Sequence, residues 1–165
     1  MNKQFMELAL SEARLAQTFD EVPVGAVIVK DGKVIAKASN RKERENCAVF
    51  HAEIVAIMEA SKALSNWYLD GCEMYVTLEP CPMCAGAIIN SRIDKLYFGA
   101  YDYKSGCCGS IYNLVNEEKF NHRLEVVGGV MESECSEILT SYFKNKRLEK
   151  KAQKKLMQNK NDDII

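Results

Sequence analysis

Residues 73–100 read EMYVTLEPCPMCAGAIINSRIDKLYFGA. The stretch EMYVTLE (73–79) has the length and the apolar, β-branched and aromatic character of a buried strand. CPMCAGAIINS (81–91) then reads as a helix with a proline near its start, and DKLYFGA (94–100) returns to strand. A strand, a helix and a second strand thus follow one another with no linker between them. That order predicts a sheet with helices packed on it.

The flanking segments extend the pattern. Upstream, VPVGAVIVKDGKVIAKASN (22–40) places two β-branched runs around Asp31-Gly32, a hairpin signal that predicts strands over 24–30 and 33–39. Residues 2–18 carry Phe5, Leu8, Ala9, Leu15 and Ala16 at helical spacing with charge between them. After the polar RKEREN (41–46), a helical pattern runs from near His51 through Ile54, Val55, Ile57, Met58 and Leu64 to about residue 65. Downstream come a glycine-bearing loop (101–114), a last strand in RLEVVGG (123–129) and a final helix over about 133–155. The order αββαβαβ(β)α predicts one α/β domain over residues 1–158, a mixed sheet covered on both faces, with residues 159–165 a frayed end.

The 165 residues, 47% of them hydrophobic, suit one globular domain with a real core. The formal net charge of −1 is unevenly spread, because KNKRLEKKAQKKLMQNK (144–160) carries eight Lys or Arg against the single acid Glu149. No apolar run approaches the roughly 20 residues that span a bilayer, and the N-terminal stretch is broken by charge, which predicts a cytoplasmic protein. Seven cysteines without an export signal point to metal or reactive thiols rather than disulfides. Only His51 and His122 can supply imidazole nitrogen.

The chemistry gathers at two helix starts, FHAEIVAI (50–57) and EPCPMC (79–84). Cysteines three apart on a helix share a face, and a helix N-terminus favours the thiolate form that binds metal. His51, Cys81 and Cys84 make three ligands, the number that leaves a tetrahedral zinc one open corner for water. Glu53 sits two residues after His51, about 200° around an ideal helix, so it is no ligand partner; near the helix mouth it can serve as a proton shuttle. Three other readings stand beside this one. A CxxC alone fits a thiol redox couple, although no thioredoxin-like context surrounds it. Cys47 or Cys72 can close the metal as a fourth ligand, giving a structural zinc and a non-catalytic RNA-binding module. Cys47 is the stronger candidate, since a helix extended one turn backward puts it on the face of His51. His51 and Glu53 can also be ordinary side chains.

HAE followed by PCPMC resembles the zinc-dependent nucleoside and nucleobase deaminase superfamily, whose H-x-E and P-C-x-x-C signature it matches. VPVGAVIV, HAEI, YVTLEPCPMCAGAII, SRIDKLYFGA, GCCGS, FNHR and FKNKRLEKKAQKK together resemble the bacterial tRNA-specific adenosine deaminases over nearly the whole chain. The resemblance implies a cytidine deaminase-like, three-layer αβα sandwich with a five-stranded sheet, one Zn2+ per subunit and a homodimer. It implies hydrolytic deamination of adenosine to inosine at the wobble position of a tRNA anticodon. Free guanine or a cytosine nucleoside or nucleotide is the alternative substrate within the same machinery.

By the same resemblance Glu53 shuttles the proton, the backbone of Ala52 orients the attacking water, and Asn40, Val24 and Gly25 adjoin the target nucleotide. Asp102 and Lys104 match positions near the RNA. Asn121, His122, Arg123 and Phe143, with the basic final helix (Lys144, Lys146, Arg147, Lys150, Lys151), offer the contacts that a splayed anticodon stem-loop takes. Two departures stand out. CAVFHAE (47–53) replaces the family's DPTAHAE, and Tyr101 replaces an arginine, exchanging a phosphate contact for a stacking surface.

Overall fold

The computed structural model describes residues 2–162, with side chains through Gln158. The hairpin forms as read: Asp31 and Gly32 both take positive φ, 50° and 72°, the backbone that joins two twisted strands in the fewest residues. It links β1 (Gly25–Lys30) to β2 (Lys33–Ser39) in antiparallel register, with an irregularity between Ile28 and Val29. The other edge of β1 pairs antiparallel with β3 (Cys72–Leu78), which pairs parallel with β4 (Lys95–Ala100), and β4 pairs parallel with β5 (Glu125–Val127). The sheet is therefore mixed and five-stranded, in the order β2-β1-β3-β4-β5.

Helices cover both faces. α1 (Lys3–Thr18) packs on β1, β2 and β3 and touches α4 (Glu132–Asp162), which lies over β4 and β3. α2 (Ala52–Leu64) packs on β1 and β2 and meets α3 (Pro82–Asn90), the crossover between β3 and β4. Because both faces are covered, the central strands read as continuous apolar runs, and β1 and β4 are buried almost throughout.

Gly25 shows how tightly the layers fit. A Cβ there would lie 2.6 Å from the backbone nitrogen of Ala13 and closer still to the carbonyl of Ala9, so α1 can cross β1 only above a glycine. The close approach that demands glycine is made by α1.

Two boundaries differ from the sequence reading. β5 keeps only three residues of the expected 123–129, because Gly128 and Gly129 follow it and Gly129 takes φ 76°. α4 runs past the expected end near 155 to Asp162, because no glycine or proline interrupts residues 132–162 and Lys, Gln, Leu, Met and Ala favour helix. Residues 159–162 of the expected frayed end are thus helical, and 163–165 lie outside the described residues.

Candidate active site and its metal group

The site lies at the end of the sheet where β2, β3 and β4 finish and β1 starts, with α2 beginning after β2 and α3 after β3. His51 and Cys81 are not helical residues: both are N-caps with extended backbone, at φ −72°, ψ 155° and φ −71°, ψ 174°. This corrects the helical offsets of the sequence reading. The 200° separation of His51 and Glu53 does not apply, since the helix starts at Ala52. Neither does the backward turn that would put Cys47 beneath His51, because residues 47–50 form turns outside the helix.

His51 Nδ1 stands 3.7 Å from Cys81 Sγ and 3.6 Å from Cys84 Sγ. A tetrahedral ion with Zn–N near 2.05 Å and Zn–S near 2.3 Å places nitrogen and sulfur about 3.6 Å apart, so the spacing fits zinc. Among the described residues these three form the one group of His, Cys, Asp or Glu able to hold a metal, and neither Cys47 nor Cys72 joins it. Cys72 opens β3, at the opposite end of the sheet.

The electrostatics of the donor set point the same way. The hydrogen bond from Cys84, then the one with His51, holds the Cys81 thiol down to about 4, despite burial. Cys84 is driven strongly upward by its bond to Cys81 and by burial, so unaided only one of the two sulfurs gives up its proton. A bound dication lets both become thiolates. His51 is raised chiefly by its contact with Cys81. Glu53, only 4% exposed, is raised by burial, which suits a carboxyl that alternately holds and releases a proton.

An open cavity above this group is lined by Val22, Val24, Asn40, Lys42, Leu78, Glu79, Asp102 and Ser105 together with His51, Glu53 and Cys81. The structure therefore gathers Val24, Asn40, His51, Glu53, Cys81 and Asp102 of the expected residues around one space, with Cys84 buried below. Gly25 follows the lining residue Val24 but does not itself line the cavity, and its N–H donates to Thr77 Oγ1 at 3.2 Å. Ala52 is the first residue of α2, and no side chain caps that helix start, so its N–H is one of the unpaired donors there. Asn40 Nδ2 donates to Glu21 Oε2 at 3.2 Å, and among the described residues no hydrogen bond takes Asn40 Oδ1. Glu21 is fully buried and also accepts the N–H of Arg44. Lys104 and Phe143 line an adjoining groove with Val22, Leu78, Tyr101, Asp102, Ser105 and Arg147.

Other expected residues lie apart. His122 Nε2 is 2.8 Å from the carbonyl of Ile93, and the carbonyl of Asn121 accepts from Arg92, which anchors 121–123 near the start of β4. The six residues of β4 put about 20 Å between that end and the cavity of the same chain. Lys146 is engaged with Asp20 and Glu149, whereas no ion pair among the described residues holds Lys144, Arg147, Lys150 or Lys151. In the changed segment 47–50, Phe50 packs against the core and donates its N–H to the carbonyl of Cys47, while Val49 stays exposed.

Sequence reading missed Val22, Lys42, Leu78, Glu79, Ser105 and the buried Glu21. Two of these had a signal: Glu79 adjoins the PCPMC segment, and Val22 precedes Pro23 just ahead of the first strand. Leu78 stands at the end of β3, and Lys42, Ser105 and Glu21 are brought in by loops.

A mixed sheet that presents a His-Cys-Cys group and a buried glutamate at two helix mouths defines a metal-dependent nucleobase deaminase. The family model for MafB19-like deaminase matches residues 1–147. The chain is 51% identical over 151 residues to the tRNA-specific adenosine deaminase of Bacillus subtilis (strain 168), covering 92% of this chain and 94% of that one. A solved structure from a study of A-to-I editing by tRNA:A34 deaminases at the wobble position of transfer RNA superposes with TM-score 0.81 at 48% identity. It covers 84% of this chain and 100% of that one. A guanine deaminase from Nitrosomonas europaea is similar at TM-score 0.75 and 25% identity, over 86% of this chain and 84% of that one. The chain belongs to the tRNA-specific adenosine deaminase family.

Proposed function

We propose that this protein is a zinc-dependent hydrolase that converts adenosine to inosine at the wobble position of a tRNA anticodon. The buried Glu53 beside the His51, Cys81 and Cys84 group, facing an open cavity, carries the chemistry. The 51% identity to a tRNA-specific adenosine deaminase over 92% of this chain, against 25% to one guanine deaminase and 39% to another over only 61% of this chain, supports the tRNA substrate. When bound by the three ligands, zinc supplies a Lewis acid that makes water nucleophilic near neutral pH.

The chain's own residues do the rest. Glu53 takes a proton from the attacking water and delivers it to N1 of adenine as the water oxygen bonds to C6. It then takes the remaining proton from the C6 hydroxyl and passes it to the exocyclic nitrogen; the C6–N6 bond breaks as the C6 carbonyl forms, and ammonia leaves. The free N–H of Ala52 orients the water oxygen. Asn40, fixed through Nδ2 by Glu21, offers Oδ1 to the target nucleotide. Val22, Val24 and Leu78 supply apolar surface for a flipped base. The groove of Tyr101, Phe143, Lys104 and Arg147 suits the flanking nucleotides of an anticodon stem-loop, through stacking and phosphate contacts.

The protein works in the cytoplasm as a homodimer, and the distance of Asn121, His122 and Arg123 from their own cavity suits contacts made with RNA on a second copy's site. No helix among the described residues is long and apolar enough to cross a membrane. The test is incubation of zinc-loaded protein with a transcribed tRNA carrying adenosine at the wobble position, reading inosine. Absence of inosine together with ammonia from guanine or a cytosine nucleoside would transfer the assignment to a free-base or nucleoside deaminase.

A further inference from the structure

Glu79 is 2% exposed, lines the cavity, and has no cation beside it among the ion pairs of the described residues. Four donors converge on its carboxylate instead. Oε1 accepts the N–H of Cys108 at 3.0 Å and of Ser110 at 2.9 Å, and Oε2 accepts the N–H of Asp102 at 3.1 Å and the Ser110 hydroxyl. Gly106 packs so closely that a Cβ there would collide with the carboxylate. Asp102 in turn accepts the N–H groups of Lys104 and Ser105 at 2.9 and 3.2 Å and the Ser105 hydroxyl at 2.6 Å. A single buried side chain at the end of β3 therefore holds both ends of the 102–110 loop, and through it the two cavity-lining residues Asp102 and Ser105.

We propose that Glu79 is a positioning residue that sets the substrate-facing wall of the cavity, acting through the 102–110 loop rather than on the reacting atoms. The metal ligands stand on the caps and first turns of α2 and α3, so loosening the loop changes how RNA is held more than how it reacts. An apolar residue of the same size cannot do this, since it would leave four donors buried and unpaired. Glutamine cannot either, since its amide turns a donor toward donors.

The test is Glu79→Gln, with Ser110→Ala as the milder variant, since it removes one donor and keeps the backbone bond. In Glu79→Gln, KM for a wobble-adenosine stem-loop rises about tenfold or more, the loss of one charge-assisted hydrogen bond, while kcat changes less and metal stoichiometry is unchanged. Alkylation of the buried Cys108 thiol, followed by mass spectrometry, accelerates by a similar factor, and Ser110→Ala shifts both readouts in the same direction by less. A KM within about twofold of wild type, with Cys108 still protected, overturns the proposal; so does a Ser110→Ala variant with both readouts unchanged if Glu79→Gln fails to fold. The kinetic arm rests on the reading as a tRNA deaminase. If wild-type protein edits no RNA, that reading fails, while Cys108 protection still decides whether Glu79 anchors the loop.

Discussion

His51 Nδ1 lies 3.6 Å from Cys84 Sγ, although 33 residues separate them in the chain. The distance is that of two ligands on one tetrahedral ion, and it is fixed by two helix starts at one end of the sheet, α2 after β2 and α3 after β3, with β1 between those strands. Within the protein alone the hydrogen bond between the two cysteines holds Cys81 low and pushes Cys84 up.

Replacing Cys84 with serine or His51 with alanine is expected to reduce bound zinc from one per chain to a small fraction and to cost activity at least about a hundredfold. Atomic absorption and inosine formation check this together. Chelation of wild-type protein should give the same loss, restored on adding zinc.

Glu53→Ala should retain metal and fold while lowering kcat by about 10²- to 10⁴-fold, the range for a lost general acid and base. Single-turnover editing of a stem-loop substrate measures it. Activity within about tenfold of wild type would remove Glu53 from the proton transfer.

Gly25→Ala forces a methyl group into the backbone of α1 at Ala9 and Ala13. Overpacking of this kind costs about 1–3 kcal/mol, read as a lower urea midpoint with unchanged slope. An unchanged midpoint would mean that α1 shifts freely away from β1.

Changing Lys150, Lys151, Lys154 and Lys155 together to glutamine removes four cations from the exposed half of α4. If all four meet phosphates, the slope of log affinity against log salt flattens by about 3 to 3.5 units, at roughly 0.7–0.9 per contact. Lys146→Gln should act differently, lowering stability by releasing Asp20 and barely changing the slope. An unchanged slope in the quadruple variant would make this face merely solvated.

Much of the site was legible because its signals are local. His51, Glu53, Cys81 and Cys84 sit in two short segments whose residue types suit one metal and one proton shuttle, and Asp31-Gly32 announces its hairpin by backbone preference. Glu79 and Glu21 were not legible in the same way. A buried carboxylate looks like any glutamate until the donors it collects are known, and those come from residues 102–110 and from Asn40 and Arg44.

From sequence alone came the αβα order, the His51, Cys81 and Cys84 group, the glutamate beside it and the family, since each depends on periodicity, on turn preference or on a short run of residues. Only the tertiary structure decided that Cys47 stays clear of the metal group, that Gly25 serves the packing of α1, and that Asn121, His122 and Arg123 stand a sheet's length from their own cavity. These follow from where the chain crosses itself. A cap residue turned out of the helix moves Cys47, a helix crossing point fixes Gly25, and the parallel pairing of β4 and β5 fixes the end of the sheet to which the 121–123 segment belongs.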